Sequence, residues 1–398
     1  MINAYLRADG RKGIRNTVVV AYLVECAHHV SREIYYPFRE QGAHLIGFPG
    51  CFPNVYSHKM MERLCTHPNV GAALLVSLGC EGFNKGKLQE TVRKSGRPVK
   101  LLEIQGTGGT RKTIAEGKAW IEQTLKQLEG TPRANMTLDE LIVGTICGGS
   151  DATSGLTANP AMGRAFDFLV EKNATCIFEE TGELIGMEHW MAKRAENPIL
   201  GEEIVKTVAK AAKYYATYGH ASIGPGNADG GLTTIEEKSL GAYAKSGQSV
   251  ISGIIKPGDV PIRGGLYLLD VVPDGEPLFG FPNISDNAEI AELMACGSHL
   301  SLFSTGRGSV VGSAIAPVIK VCANPHTYKR MSDDMDVDAG RILEGRATLD
   351  EVGREIYDLI LRVCNGEQTK SEQLGHQEFI LTYKSFEPIG PACFPSAA

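Results

Sequence analysis

Residues 71–80 read GAALLVSLGC, an apolar run that closes on Gly79 and Cys80. Apolar and polar positions do not alternate in it, so both faces of the strand it implies must be covered. Three similar runs surround it: TVVVAYL at 17–23, LIGF at 45–48 and VKLLEI at 99–104. Helical patterns lie between them, near 27–41, 55–66, 85–96 and 110–128. Strands of this kind separated by helices predict a parallel sheet with helices on both faces. The pattern breaks at Gly-Thr-Pro-Arg, 130–133, and then resumes. Further strand runs fall at 141–147 (LIVGTIC), 174–178 (ATCIF), 249–255, 265–272, 299–304 and 317–322. Helical patterns fall between and after them, near 160–172, 182–194, 201–217, 233–245, 287–295, 325–331 and 349–365.

The expected fold class is therefore α/β: two Rossmann-like α/β domains with mostly parallel sheets and the active site in the cleft between them. The expected domains are 1–133 and 134–398. The length, 398 residues, suits two domains. Hydrophobic residues at 43% and charged residues at 22% describe a globular chain, not a disordered one. A net charge of −6 argues against a general nucleic-acid binder, which needs a basic face. No apolar run approaches the roughly 18–20 residues of a membrane span. The first sixteen residues carry charge with no apolar stretch behind it, so no secretory signal is visible and the cytoplasm is the expected place.

Ligands collect beyond the C-terminal ends of strands in open parallel sheets. That rule sorts the ten cysteines, none of which forms a Cys-x-x-Cys pair. Cys51 follows FPG, Cys80 closes GAALLVSLGC, and Cys147 closes LIVGTIC and opens CGGSD. All three fall at strand ends beside glycine. Three thiolates with an open position suit iron, mononuclear or in a cluster. The alternative is three small buried residues at strand-to-helix turns.

Four glycine-rich stretches stand out: GTGGT (106–110), CGGSD (147–151), GPGNADGG (224–231) and STGRGS (304–309). None completes G-x-G-x-x-G or a P-loop, so nucleotide chemistry has little support. Their backbone N–H groups suit a carboxylate or sulfonate. In STGRGS, Ser304 and Thr305 add hydroxyls and Arg307 adds a fork that matches an anion, or else stands as a surface arginine. GGLTTIEEKSLG (230–241) opens a helix capped by Thr233 or Thr234. It carries Lys238 one turn in, which is either a solvated lysine or a base. GRKGIRN (10–16) precedes the first parallel strand and faces away from the crest, a structural position. The run DDMDVDAG at 333–340 matches a calcium loop poorly, because its glycine is late.

Taken together, GRKGIRN, HPNVGAALLVSLGCE, CGGSDATSGLTANPA, GNADGGLTTIEEKSLG, STGRGS, APVIKV, RMSDDMDVDAG and GEQTKSE resemble the large catalytic part of the altronate/galactarate dehydratase family. The strings run from residue 10 to about 375. The resemblance implies a lyase that removes the proton beside a carboxylate and expels a β-substituent to give a 2-oxo acid. It implies a divalent metal, commonly iron. It also implies a separate small subunit, because family members with a fused N-terminal domain differ here, and a homo-oligomer of large–small pairs. FPGCFPN at 48–54 is more similar to the family's two-subunit sulfo-lyase branch, which expels sulfite from 3-sulfolactate, than to the sugar-acid branch represented by altronate. The motifs cover Cys51, Cys80 and Cys147 as metal ligands. Asp151, Glu81 and Lys238 are the candidate bases. Ser304, Thr305 and Arg307 are the candidate anion contacts. A competing class is a non-catalytic regulatory partner that keeps the fold.

Overall fold

The structure, a computed structural model, describes residues 1–217, 223–274 and 285–384. It starts with a pair that the apolar pattern does not announce: β1 (Ile2–Leu6) and β2 (Lys12–Gly13) run antiparallel. Four expected strands follow: β3 (Thr17–Tyr22), β4 (Ala43–Gly47), β5 (Val70–Ser77) and β6 (Val99–Glu103). They form a parallel sheet of order β4-β3-β5-β6. β5 is buried at every position, which is why GAALLVS lacks polar alternation. Next, β7 (Arg133–Met136) pairs antiparallel with β1, placing Ile2 opposite Met136. The small sheet β2-β1-β7 thus ties the first residues to the segment that joins the two parallel sheets.

The second parallel sheet has seven strands: β8 (Ile142–Cys147), β9 (Thr175–Phe178), β10 (Ile251–Ile255), β11 (Gly265–Leu269), β12 (Leu300–Thr305), β13 (Val318–Cys322) and β14 (Val337–Asp338). Their order is β10-β11-β9-β8-β12-β13-β14. From β8 the chain builds outward on one side through β9, and from β12 it builds outward on the other through β13. The order therefore reverses between β8 and β12, the position where connecting loops part and leave a crevice.

The helices Ala158–Val170 and Leu349–Cys364 cover one face of this sheet. On the other face, the helix Asp286–Ala295 packs against Val55–Cys65, the helix that follows β4. One apolar cluster runs through both, from Val19, Ile46 and Leu75 of the first sheet to Ile146, Leu269 and Phe303 of the second. Because it lies between two sheets, Asp286–Ala295 is buried at eight of its ten positions. Its glutamates Glu289 and Glu292 are buried with the rest.

The charged strings outside the crest hold the frame. Arg15 forms a forked pair with Glu372 (Nε–Oε1 2.7 Å, Nη2–Oε2 2.8 Å) and donates to the Val363 carbonyl. Lys12 pairs with Glu140 at 2.7 Å. GRKGIRN is thus a clamp at the N-terminal ends of the strands. In the acidic run, Asp336 accepts backbone N–H groups from Lys320 (2.7 Å) and Lys370 (2.8 Å). Among the described residues no helix is long and apolar enough to cross a membrane.

Candidate active site

The register places Ser304 of β12 beside Cys147 of β8, so CGGSD and STGRGS leave the sheet as neighbours at the reversal point. Gly149 carries φ +62, and its carbonyl accepts N–H groups from Gly306 (3.2 Å) and Arg307 (2.9 Å). At Gly306 a Cβ would stand 2.0 Å from Asp151 Oδ1, so only glycine lets the two loops close. Asp151 organises this junction. Its Oδ1 accepts from the Thr153 backbone (2.9 Å) and hydroxyl (2.6 Å), and its Oδ2 from Asn324 Nδ2 (3.0 Å). The Ser304 hydroxyl is buried and donates to Asn159 Oδ1 at 2.5 Å. Thr305 Oγ1 accepts from the Gly308 N–H at 3.0 Å. Arg307 is exposed and donates to the Gly226 carbonyl at 2.5 Å. Asn227 Nδ2 donates to the Ser150 carbonyl at 3.1 Å, which draws GPGNADGG over the same crest.

Beneath these loops lies a buried group of acids and amines. Glu179 and Glu180 directly follow β9, and a short turn then presents Glu183; all three are buried. Glu180 has φ 73 and ψ 52, a left-handed conformation that costs a non-glycine residue roughly 1–2 kcal/mol. Its Oε2 accepts the Cys147 N–H at 3.0 Å. The Cys147 sulfur lies 3.0 Å from Glu183 Oε2, 3.6 Å from Glu180 Oε1 and 3.5 Å from Lys245 Nζ. Lys245 pairs with Glu180, and Lys238 Nζ lies 2.5 Å from Glu183 Oε1. Thr234 caps the helix Ile235–Ala244 that carries Lys238, and Glu237 returns to the Thr233 N–H at 2.8 Å. The cap matches the sequence expectation. The bland alternative of a solvated lysine does not hold: only 9% of the Lys238 side chain is exposed.

These surroundings shift the titrating groups. Burial pushes the Cys147 thiol up to about 12, and Glu183 adds to the shift. Burial works against charge on Lys238, but the Glu183 carboxylate and Cys147 outweigh it and raise its pKa. Asp286 sits beside Gly148, and burial, then Glu183, push its carboxyl up to about 6. Burial and then Glu289 hold the Glu179 carboxyl well above the usual range.

Cys147, Asp151, Lys238, Ser304, Thr305 and Arg307 therefore share one crest. Cys147, Asp151, Asn159, Glu183 and Lys238 line a small cleft there. Cys51, Cys80 and Glu81 lie at the crest of the first sheet instead. Cys51 and Cys80 are exposed, and the Cys51 carbonyl accepts the Gly82 N–H at 2.8 Å. Glu81 accepts from the Gly79 N–H (2.8 Å) and the Ser77 hydroxyl; burial opposes its charge, yet these bonds hold its carboxyl below the usual range. Two groups have ligand atoms all within 4.8 Å of one another: Cys147, Glu180 and Glu183, and Glu179, Glu180 and Glu289. Among the described residues, neither includes Cys51 or Cys80. The glutamates, Lys245 and Asp286 are absent from the sequence reading. The available signal was EE directly after ATCIF, two charges at the end of a buried strand.

Residues 4–129 match the family described as D-galactarate dehydratase/altronate hydrolase, second domain, and residues 138–386 match D-galactarate/altronate dehydratase, C-terminal. The chain belongs to this dehydratase family, and its relatives place it among the lyases. It is 33% identical over 391 residues to the (2R)-sulfolactate sulfo-lyase subunit beta of Chromohalobacter salexigens, covering 95% of this chain and 96% of that one. It is 28% identical over 397 residues to the altronate dehydratase of Escherichia coli, covering 96% of this chain and 77% of the relative. It is 32% identical over 332 residues to the galactarate dehydratase (L-threo-forming) of Escherichia coli, covering 80% of this chain and 61% of the relative.

Proposed function

We propose that this chain is the large subunit of a metal-dependent lyase that takes the C2 proton from a small 2-hydroxy acid and expels the C3 substituent. The observation that carries this reading is the buried chain Lys245–Glu180–Cys147–Glu183–Lys238 at the reversal point of the seven-stranded sheet. Such a sheet places its ligand there.

Cys147, Glu180 and Glu183 fit a divalent cation: one thiol and two carboxylates, all buried, with ligand atoms within 4.8 Å of one another. A mixed sulfur and oxygen set of this kind suits iron among the common metals. When bound, the cation supplies Lewis acidity toward the substrate's carboxylate and 2-hydroxyl. Cys51 and Cys80 remain proposed ligands only if the first sheet contributes to the same centre.

The chain's own groups divide the remaining work. Lys238 keeps its proton beside Glu183, so it serves as a positive charge toward the developing enolate. Asp286, titrating at about 6, is poised to hold the C2 proton at neutral pH. Asp151 and Glu81 are also proposed bases, though each is already engaged in holding its loop. Arg307, on the loop shaped by Ser304 and Thr305, is proposed to bind the distal anion. In the reaction the C2–H and C3–S bonds break and C2=C3 forms. The products are sulfite and an enol that becomes pyruvate.

3-Sulfolactate is the proposed substrate. The support is the similarity to the sulfo-lyase subunit, together with FPGCFPN, whose phenylalanines and prolines offer a polyol few partners. Altronate is the second reading, supported by the altronate dehydratase relatives. The name of the sulfo-lyase relative also supports a partner small subunit. A homo-oligomer of such pairs and a cytoplasmic setting complete the proposal. The test mixes the chain with a small subunit and ferrous iron under anaerobic conditions, and offers 3-sulfolactate and altronate in parallel. Pyruvate with equimolar sulfite supports the first reading, and a 2-oxo acid from altronate alone supports the second. Stoichiometric ligand binding without turnover would instead make the chain a regulatory partner.

A further inference from the structure

Three lysines in the second half of the chain pair with glutamates: Lys238 with Glu183, Lys245 with Glu180 and, at 4.0 Å, Glu183, and Lys384 with Glu292. Two carboxylates in the same buried region are left over. Glu179 is fully buried and Glu289 is 2% exposed, and neither has an ion pair among the described residues. Both Glu179 oxygens and Glu289 Oε1 also lack a hydrogen-bond partner there. A buried acceptor without a partner costs on the order of 1–3 kcal/mol, and a charged one more. Three such oxygens side by side therefore call for a missing positive species. The side chains of Glu179, Glu180 and Glu289 bring ligand oxygens within 4.8 Å of one another, so a single ion can reach all three.

We propose that Glu179, Glu180 and Glu289 form a second divalent-cation site, which shares Glu180 with the group Cys147, Glu180 and Glu183. One divalent cation neutralises the two uncompensated carboxylates and satisfies the three orphaned oxygens together. The donor set is all oxygen, so the site selects a hard cation, magnesium or manganese, where the neighbouring sulfur-containing group selects a softer one. Glu180 belongs to both groups, so its carboxylate can bridge them. Shared carboxylates of this kind hold paired ions about 3.5–4 Å apart in two-metal enzymes. The site depends on the orphaned oxygens and not on the identity of the substrate.

The test uses the full chain stripped of metal by chelation and titrated with manganese(II) alone, read by electron paramagnetic resonance with bound metal counted per chain. The expected result is two manganese ions per chain with an exchange-broadened signal in place of six resolved lines. Glu289→Gln should bind one ion, weaken the second by at least about tenfold, and restore six lines. Glu179→Gln should behave the same way and guards against one variant failing to fold. Cys147→Ala should lose the other ion and keep the all-oxygen site. One ion in the parent chain, removed by Cys147→Ala and untouched by Glu289→Gln, would overturn the second site and leave the lyase reading intact. Two ions with no magnetic coupling would place the second elsewhere and overturn it as well. Glu179 and Glu289 sharing a proton would give that one-ion result, and no binding at all would overturn both readings.

Discussion

Replacing Lys384 with methionine tests the electrostatic frame beneath the site. Lys384 and Glu292 have no exposed side-chain surface, and Lys384 Nζ lies 2.8 Å from Oε1 and 2.9 Å from Oε2 of Glu292. Lys384 also donates to the Val271 carbonyl at 3.0 Å, and the Tyr56 hydroxyl donates to Glu292 at 2.6 Å. Methionine keeps most of the volume, so the loss is electrostatic: a buried carboxylate without its ammonium and a carbonyl without its donor. Breaking such a pair from one side costs about 3–5 kcal/mol. At about 2.1 cal/mol/K of unfolding entropy per residue, that lowers the Tm by about 4–6 °C if unfolding is cooperative. Burial raises the Glu292 carboxyl, and Lys384 opposes the rise. Without Lys384 it rises further, so the variant regains stability as pH falls and loses it as pH rises through the new pKa. Urea unfolding at pH 6 and pH 8 should therefore show the larger deficit at pH 8. Adding Glu292→Gln should restore about 2 kcal/mol or more. A deficit below about 1 kcal/mol at pH 8, or no recovery in the double variant, would refute the claim that this pair is a buried, charged contact.

Three other outcomes follow from the same geometry. Cys147→Ala should abolish one equivalent of tightly bound metal by elemental analysis, while Cys51→Ala and Cys80→Ala should keep it; loss in the latter two would restore the three-thiol centre. The acid limb of kcat/KM should fall near pH 6 and disappear in Asp286→Asn, and a limb unmoved by that change would assign the proton to another group. His44 and His299 accept the Ile315 and Ile142 N–H groups, and burial holds both near 4. Their contribution is complete above about pH 6.5 and lost as pH falls through 4, at up to roughly 3 kcal/mol each. Unfolding midpoints should decline over that window, and a flat profile would contradict neutral buried imidazoles.

The parallel strands were legible because burial on both faces removes polar alternation; β5 carries that signature over its whole length and β8 over all but Ile142. β1, β2 and β7 were not legible, being short, partly exposed strands, with β7 paired to β1 across more than a hundred residues. At the site, glycine beside a strand end located Cys147, Gly149 and Gly306. The same rule applied to cysteines alone passed over Glu179 and Glu180, although they directly follow β9 on the same crest. Lys238 was visible, but its burial was not. The partner that buries it, Glu183, comes from a turn 55 residues earlier and meets it only in three dimensions.

The left-handed backbone at Glu180 is strain that the buried pair with Lys245 outweighs. Glycine or asparagine would relax that conformation by about 1–2 kcal/mol, but either would leave the Lys245 ammonium buried without its carboxylate, at about 3–5 kcal/mol. A heat-challenge library with no requirement for turnover should therefore keep glutamate at position 180 wherever it keeps Lys245. It should admit glycine or asparagine only together with a neutral residue at position 245. Each such double change would lose the carboxylate that both candidate ion groups share, so the tolerant chains it yields would be inactive.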